Sequence, residues 1–91
     1  MYETLFSPFE YGGLTLKNRV IFSPTSLGVS PQEQEERLRR IAAGGCALII
    51  LGDVPVGRGG FGPSLYTRKG FKRYQHLAQV VHGEGCLIGA Q

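Results

Sequence analysis

Three short polar groups, each following an apolar run, are where this sequence could do chemistry. They are Ser23, Pro24, Thr25 and Ser26; Gly52 and Asp53; and Gln91. If the apolar runs are parallel strands, these groups lie at their carboxyl ends, where α/β proteins place their sites. These groups offer small hydroxyls, a glycine and a side-chain amide, and no obvious nucleophile–base pair is among them. They suit holding a planar, hydrogen-bonding cofactor better than acid–base catalysis.

Three apolar runs would have to position these groups. They comprise residues 19–22, 46–51 and 86–90. The second run is apolar throughout rather than alternating, which is typical of a parallel strand covered on both faces. The first run is β-branched and aromatic, and we expect Ser23-Pro24 to stop it. We therefore predict three strands with the polar groups directly after them.

Two helices are predicted between these strands. Ser30 is a capping residue, Pro31 occupies the first helical position, and Glu33 completes a capping box. Glycines at positions 44 and 45 end this helix, and its acid–base pairs four residues apart are interpreted as a solvated face. The second helix runs roughly from Arg68 to His82, because apolar and aromatic residues recur there at helical spacing.

The order of these elements predicts an α/β fold. Residues 5–16 alternate around two glycines, as in a β-hairpin, and a helix–glycine–cysteine–strand junction then occurs twice, at Cys46 and Cys86. Right-handed crossovers would place both helices on one side of a parallel sheet, so the other face needs a barrel interior or another layer to cover it. Three strands and two helices are less than half of a (β/α)8 barrel.

Composition and charge narrow the class of protein. The chain has 91 residues, 42% hydrophobic and 19% charged, which describes one ordinary globular domain at most. A net charge of +3, spread over two regions, requires no nucleic-acid partner. No run approaches a membrane span and the start lacks an export signal, so we expect no membrane partner and a cytoplasmic location.

Two further motifs are given no chemical role. Cys46 and Cys86 stand in no Cys-x-x-Cys motif and near no His or Asp cluster, so we predict reduced, buried side chains rather than a metal or redox site. Residues 57–62 satisfy G-x-G-x-x-G after a strand, the pattern of a dinucleotide fingerprint. We reject that function because Pro63 follows directly and the helix begins later, so no helix N-terminus faces a pyrophosphate. A surface loop is expected instead.

Several segments resemble the opening of the old yellow enzyme family of NADH:flavin oxidoreductases. They are residues 5–8, 14–20 and 22–24, with Leu-Thr-Leu-Lys-Asn-Arg at 14–19 the most specific part; residues 88–91 resemble the family's third strand. The likeness covers essentially the whole chain. It implies one partial flavin oxidoreductase domain over residues 1–91, the N-terminal part of a TIM barrel. It also implies FMN as the cofactor and NADH or NADPH as the hydride donor.

The resemblance implies a cofactor-binding role for the first polar group. Ser23, Pro24 and Thr25 match a segment whose backbone lies along the flavin. Ser26 stands where relatives carry a threonine or cysteine that touches the flavin, so its hydroxyl would tune the redox potential. The alternative for Ser23 and Ser26 is that they are loop caps.

The other two groups match the family in the same way. Gly52 and Asp53 match a segment whose backbone meets the flavin edge, and Gln91 matches a glutamine whose amide pairs with the pyrimidine ring, which needs both a donor and an acceptor. A frayed terminus is the alternative for Gln91. Asp53 departs from the small residue expected there, and its charge would disfavour an electron-rich reduced flavin unless the carboxylate points away.

The implied activity is transfer of hydride from NAD(P)H, through FMN, to the C=C bond of an α,β-unsaturated carbonyl compound. No catalytic residue is assigned, because the family's carbonyl-binding pair, tyrosine proton donor and phosphate-binding loops lie beyond Gln91. We therefore expect this chain alone to lack turnover and to need the remainder of the barrel or a homo-oligomer. The alternative is a non-catalytic oligomeric βα module, or an inactive remnant of the barrel, that binds no flavin.

Overall fold

The computed structural model describes residues 2–25, 28–57 and 63–91 and confirms the predicted α/β order. Within these residues, five strands and two helices follow one another as β1 (Phe9–Tyr11), β2 (Leu14–Leu16), β3 (Ile21–Thr25), α1 (Pro31–Ala43), β4 (Leu48–Leu51), α2 (Arg68–Gly83) and β5 (Leu87–Ala90). The first two strands form an antiparallel hairpin, and the last three form a separate sheet.

The sheet has the strand order β3-β4-β5, and both pairings are parallel. Leu48 of β4 is paired with Ile21 on one side and with Leu87 on the other. Strands that are consecutive in the chain are therefore neighbours in the sheet, as the βα repeat predicts.

The predicted end of β3 was wrong. The strand does not stop at Ser23-Pro24 but continues to Thr25, and its pairing with β4 shifts between Phe22 and Thr25. Three steps along β3 match two along β4, so one residue is extra, as in a β-bulge. Proline cannot donate to a ladder, but it is tolerated at a bulge or on an edge strand, and Pro24 is at both.

Both helices start at side-chain caps. The Ser30 hydroxyl accepts from the Glu33 backbone N–H at 3.2 Å, with Pro31 in the first turn, as predicted. The Thr67 hydroxyl accepts from the Gly70 N–H at 3.1 Å. Such a cap satisfies one of the four N–H groups that a helix start leaves without an intrahelical partner.

The core lies between the helices and one face of the sheet. Its largest fully buried side chains come from both helices, from β4 and from the residue before β5: Leu38, Ile49, Leu77, Val81 and Cys86. Both helices therefore cover the same face. On the other face Leu48, Ile50 and Leu87 are only half-buried, and Ile21 is 45% exposed. The prediction of a bare sheet face is confirmed for this chain.

The repeated glycine–cysteine junction places the two thiols together. Gly45 and Gly85 have φ of 107° and 75°, a left-handed conformation that ends each helix and turns the chain into the next strand. Cys46 and Cys86 follow; both are free and buried, with their Sγ atoms 3.7 Å apart. This confirms the prediction that both cysteine side chains are buried.

Asn18, within the family-like segment, ties the start of β3 to the turn after α1. It is only 7% exposed; its amide donates to the Gly45 carbonyl at 2.7 Å, and its oxygen accepts from the Val20 N–H at 3.0 Å. Arg19 lies over the Phe9 ring, 4.9 Å from its centroid, and its backbone N–H donates to Leu5 at 2.9 Å. The segment therefore joins the hairpin to the sheet.

The charged face of α1 is only partly solvated. The pair of Glu33 with Arg37 is exposed, as predicted. Glu35, however, lies against α2, where its carboxylate contacts His76 and lies 3.9 Å from the Arg73 guanidinium. Arg73 also donates to the Pro31 carbonyl at 2.5 Å. These contacts join the two helices, a role that spacing within one helix could not reveal.

Candidate functional site at the strand ends

The carboxyl ends of the three parallel strands lie side by side. In the pairing register Leu51, the last residue of β4, is opposite Thr25 on one side and Ala90 on the other. The Gln91 backbone N–H donates to the Leu51 carbonyl at 2.8 Å, which extends this row by one residue. The described residues of the three predicted polar groups therefore lie along one edge of the sheet, here called the rim: Ser23, Pro24, Thr25, Gly52, Asp53 and Gln91.

Gly52 packs directly against the end of β3. A Cβ atom at this position would lie 2.8 Å from the Thr25 nitrogen and 3.0 Å from its carbonyl carbon. Because real side chains do not approach backbone atoms so closely, only glycine lets the two strand ends meet in this way. The glycine thus has a packing role in addition to the predicted contact with a cofactor.

The chain after β4 bends back over the end of β5. The Val54 N–H donates to the Gln91 carbonyl at 2.9 Å, and the Val54 side chain is 8% exposed. Asp53 stands between Gly52 and Val54 with φ of 56° and an exposed side chain. A residue with a Cβ adopts this left-handed conformation less readily than glycine, so Asp53 has a conformational cost here that glycine would not.

The rim residues differ in how well they agree with their predicted places. Ser23 and Pro24 lie inside β3 rather than after it, and Thr25 is its last residue. Ser23, Thr25 and Gln91 are exposed. Ser26 lies outside the described residues, as do residues 58–62 of the G-x-G-x-x-G motif, so both predictions stay predictions.

The donor set on the rim fits the polar edge of a planar heterocycle. The Thr25 hydroxyl and the Gln91 amide can each donate and accept, as such an edge requires. None of the described rim residues is cationic, so these residues could hold a flavin ring but supply no positive charge to its phosphate. Across residues 2–25, 28–57 and 63–91, no three His, Cys, Asp or Glu side chains are grouped as ligands for a metal ion.

Ser64 joins Gly57 to the residues before α2, and the sequence did not single it out. Its side chain is buried, and its Oγ lies 2.6 Å from the Gly57 carbonyl and accepts from the Tyr66 N–H at 3.1 Å. Tyr74 donates to the Pro63 carbonyl at 2.8 Å, and burial raises the pKa of its phenol. A lone serine near glycines and prolines is usual in loops, so the sequence carried no signal for this role.

An apolar groove adjoins the rim on the helix side of the sheet. It is lined by Leu51, Leu65, Tyr74, Ile88, Gly89 and Ala90. This lining offers little hydrogen bonding, so the polar contacts of a cofactor would come from the rim. Neither helix in the described parts of the chain has the length and apolar character needed to cross a membrane.

This architecture is that of part of a (β/α)8 barrel. The strands are parallel and sequential, the helices cover one face, and polar residues follow the carboxyl ends of the strands. Old yellow enzyme of Trypanosoma cruzi superposes with a TM-score of 0.79 at 23% identity, covering 99% of this chain and 26% of that one. Old Yellow Enzyme of Pichia sp. AKU4542 gives a TM-score of 0.77 at 26% identity, covering 97% of this chain and 25% of the other. The fold is thus that of the N-terminal part of such a barrel.

Sequence comparison finds a reductase as a relative. The chain is 48% identical over 92 residues to bilirubin reductase of Clostridium symbiosum, with 100% of this chain and 25% of that protein covered. No family model matches. In fold the chain corresponds to the N-terminal part of an old yellow enzyme barrel, and in sequence it is similar to part of a bilirubin reductase. It spans about a quarter of the length of the relatives described here.

Proposed function

We propose that this chain is the first part of an FMN-dependent oxidoreductase and that its rim holds the polar edge of the flavin ring. When bound, FMN would accept hydride from NADH or NADPH and pass it to the C=C bond of an α,β-unsaturated carbonyl compound. The observation that supports this most is the meeting of Thr25, Gly52 and Gln91 at one rim. In a (β/α)8 barrel the site lies at this end of the strands.

Three rim residues have a defined task in this proposal. The Gln91 amide donates to one atom of the flavin edge and accepts from another, and its backbone is fixed by hydrogen bonds to Leu51 and Val54. Thr25 offers a hydroxyl from the end of β3. Gly52 keeps the neighbouring strand ends close, so that these groups stay near one another. Substrate, NAD(P)H and the flavin phosphate would be held by the rest of the barrel.

A flavin titration tests this proposal on the chain itself. We expect saturable quenching of FMN fluorescence by the purified chain. Gln91→Ala should weaken this binding by about threefold to tenfold, because one net hydrogen bond is worth about 1 kcal/mol. Gln75→Ala is the matched control, since Gln75 is exposed on α2 and distant in sequence from the rim. Quenching that is absent in the wild type, or equal in the two variants, would contradict the proposed site.

Turnover is expected to be absent from the isolated chain. The three strands supply no group that binds an activated carbonyl or donates a proton to the substrate. The measurement is NADH oxidation in the presence of FMN and an enone. Rapid, enzyme-dependent oxidation would show that this part of the barrel is sufficient, against our expectation.

A rival function, a non-catalytic oligomeric module, has one observation in its favour. Ile21 is 45% exposed, and its neighbours on the bare face are half-buried, so copies of the chain could cover one another there. Size-exclusion chromatography with light scattering, run together with the flavin titration, separates the two functions. A stable oligomer that binds no FMN would favour the module, whereas FMN binding by any species favours the partial flavin site.

A further inference from the structure

Asp53 carries the one charge among the described rim residues. Its neighbours on the rim are serine, proline, threonine, glycine and glutamine, all of them neutral. Among the described residues its carboxylate has no hydrogen-bond or ion-pair partner, and the side chain is exposed. A ligand held at this rim would therefore experience a negative charge that none of the described residues compensates.

The backbone on both sides of Asp53 is fixed. Gly52 is packed against the Thr25 backbone, and Val54 is buried and hydrogen-bonded to the Gln91 carbonyl. Between them Asp53 keeps φ of 56°, a conformation that glycine would adopt at lower free-energy cost. Its Cα is thereby held next to the residues proposed to contact the flavin.

From this placement we propose that Asp53 is a potential-tuning residue of the flavin site, a role that rests on the proposed function above. Reduction of a flavin by two electrons and one proton adds one negative charge to the ring. A fixed carboxylate beside the ring disfavours that added charge but acts little on the neutral oxidised ring. Asp53 therefore lowers the affinity of the rim for reduced FMN relative to oxidised FMN. The phosphate is present in both forms, so its repulsion from Asp53 cancels in this ratio.

The test measures the affinity of the full chain for FMN in each redox state. Oxidised FMN is titrated in air, and FMN reduced with dithionite is titrated without oxygen. Asp53→Asn should tighten binding of reduced FMN by about threefold to tenfold and change binding of oxidised FMN by less than about twofold. A tenfold change in this ratio corresponds to a rise in the midpoint potential of about 30 mV for a two-electron couple. Added salt should reduce the difference.

Two further variants separate charge from other causes. Glu84→Gln removes one negative charge at the opposite, N-terminal end of β5 and should leave the ratio unchanged. Asp53→Gly removes the charge and also relieves the left-handed conformation. If the ratio of the two affinities changes in Asp53→Gly but not in Asp53→Asn, the backbone causes the effect and the inference is overturned.

The result for the wild type distinguishes this inference from the proposed function. If the wild type binds oxidised FMN and Asp53→Asn leaves the ratio unchanged, only the tuning role of Asp53 is wrong. If the wild type binds neither form, the flavin site itself is wrong, and the tuning role is excluded with it.

Discussion

The two faces of the parallel sheet differ in how completely this chain covers them. On the helix side Ile49, Leu77 and Val81 are 0% exposed. In the part of the chain that the structure describes, every buried polar side-chain atom has a hydrogen-bond partner. On the other side Leu48 and Ile50 are half-buried and Ile21 is 45% exposed. One face is a finished core, whereas the other is an apolar surface of the kind that another layer normally covers.

This difference separates the residues that hold the fold together from those available for function. Local βα packing needs only the chain's own helices, so it is complete within 91 residues. The rim and the bare face are instead held in place from behind by that core. Substitutions in the core should therefore change stability, while substitutions of exposed side chains on the rim should mainly change binding.

The sharpest test of this difference uses two adjacent residues of the same strand. Ile49→Ala should lower the free energy of unfolding by about 2–5 kcal/mol, because it removes buried methyl groups and leaves a cavity. Ile50→Ala, on the half-covered face, should lower it by about 1 kcal/mol or less. Urea unfolding followed by circular dichroism measures both. Equal losses would mean that the second face is also covered in solution, as self-association would produce.

A smaller effect is expected at the contact between β3 and β4. Gly52→Ala would place a methyl group 2.8 Å from the Thr25 nitrogen, so the strand ends must move apart, at about 1–3 kcal/mol. Gly89→Ala is the control, because a Cβ there has nothing within 4 Å. In two-dimensional NMR spectra Gly52→Ala should shift the Thr25 and Gln91 amide signals. Unshifted signals and unchanged stability would contradict the tight contact.

Substitution of Asn18 should have a somewhat smaller effect on stability. Asn18 lies just before β3, at the end of the sheet opposite the rim. Asn18→Ala leaves the Gly45 carbonyl and the Val20 N–H without their partner, which should cost about 1–2 kcal/mol. Hydrogen exchange should become faster at the Val20 amide in particular. The β5 amides serve as the internal control, and uniform acceleration across the sheet would instead indicate a general loss of stability.

The fold was predictable to the extent that it follows from local patterns. Caps, terminating glycines and apolar periodicity depend on neighbours in the sequence, and they placed both helices within one or two residues. The end of β3 was mispredicted, because Pro24 is tolerated only where a bulge occurs on an edge strand. The contact of Glu35 with α2 was also missed, because it depends on partners 38 and 41 positions away in the sequence.

The candidate site was predictable in its place but not in its packing. Parallel strands put their carboxyl ends at one edge, so the sequence predicts that Thr25, Gly52 and Gln91 meet there. It does not predict that Gly52 packs on Thr25 or that Val54 is hydrogen-bonded to Gln91, because loop geometry depends on contacts across strands. What the rim binds depends on chemistry, and here the family resemblance contributed more than spacing.

The last predicted effect lies in the finished core and is expected only at high pH. Burial, with a further contribution from the Cys46 thiol, raises the pKa of Cys86 from 9.0 to about 12. Below pH 9 the thiol is protonated in both folded and unfolded chains, so it adds no pH dependence. Between pH 9 and 12 the unfolded chain loses this proton and the folded chain keeps it, so stability falls as pH rises. Urea midpoints across this range should fall less steeply in Cys86→Ala than in the wild type; equal slopes would show that other groups cause the loss.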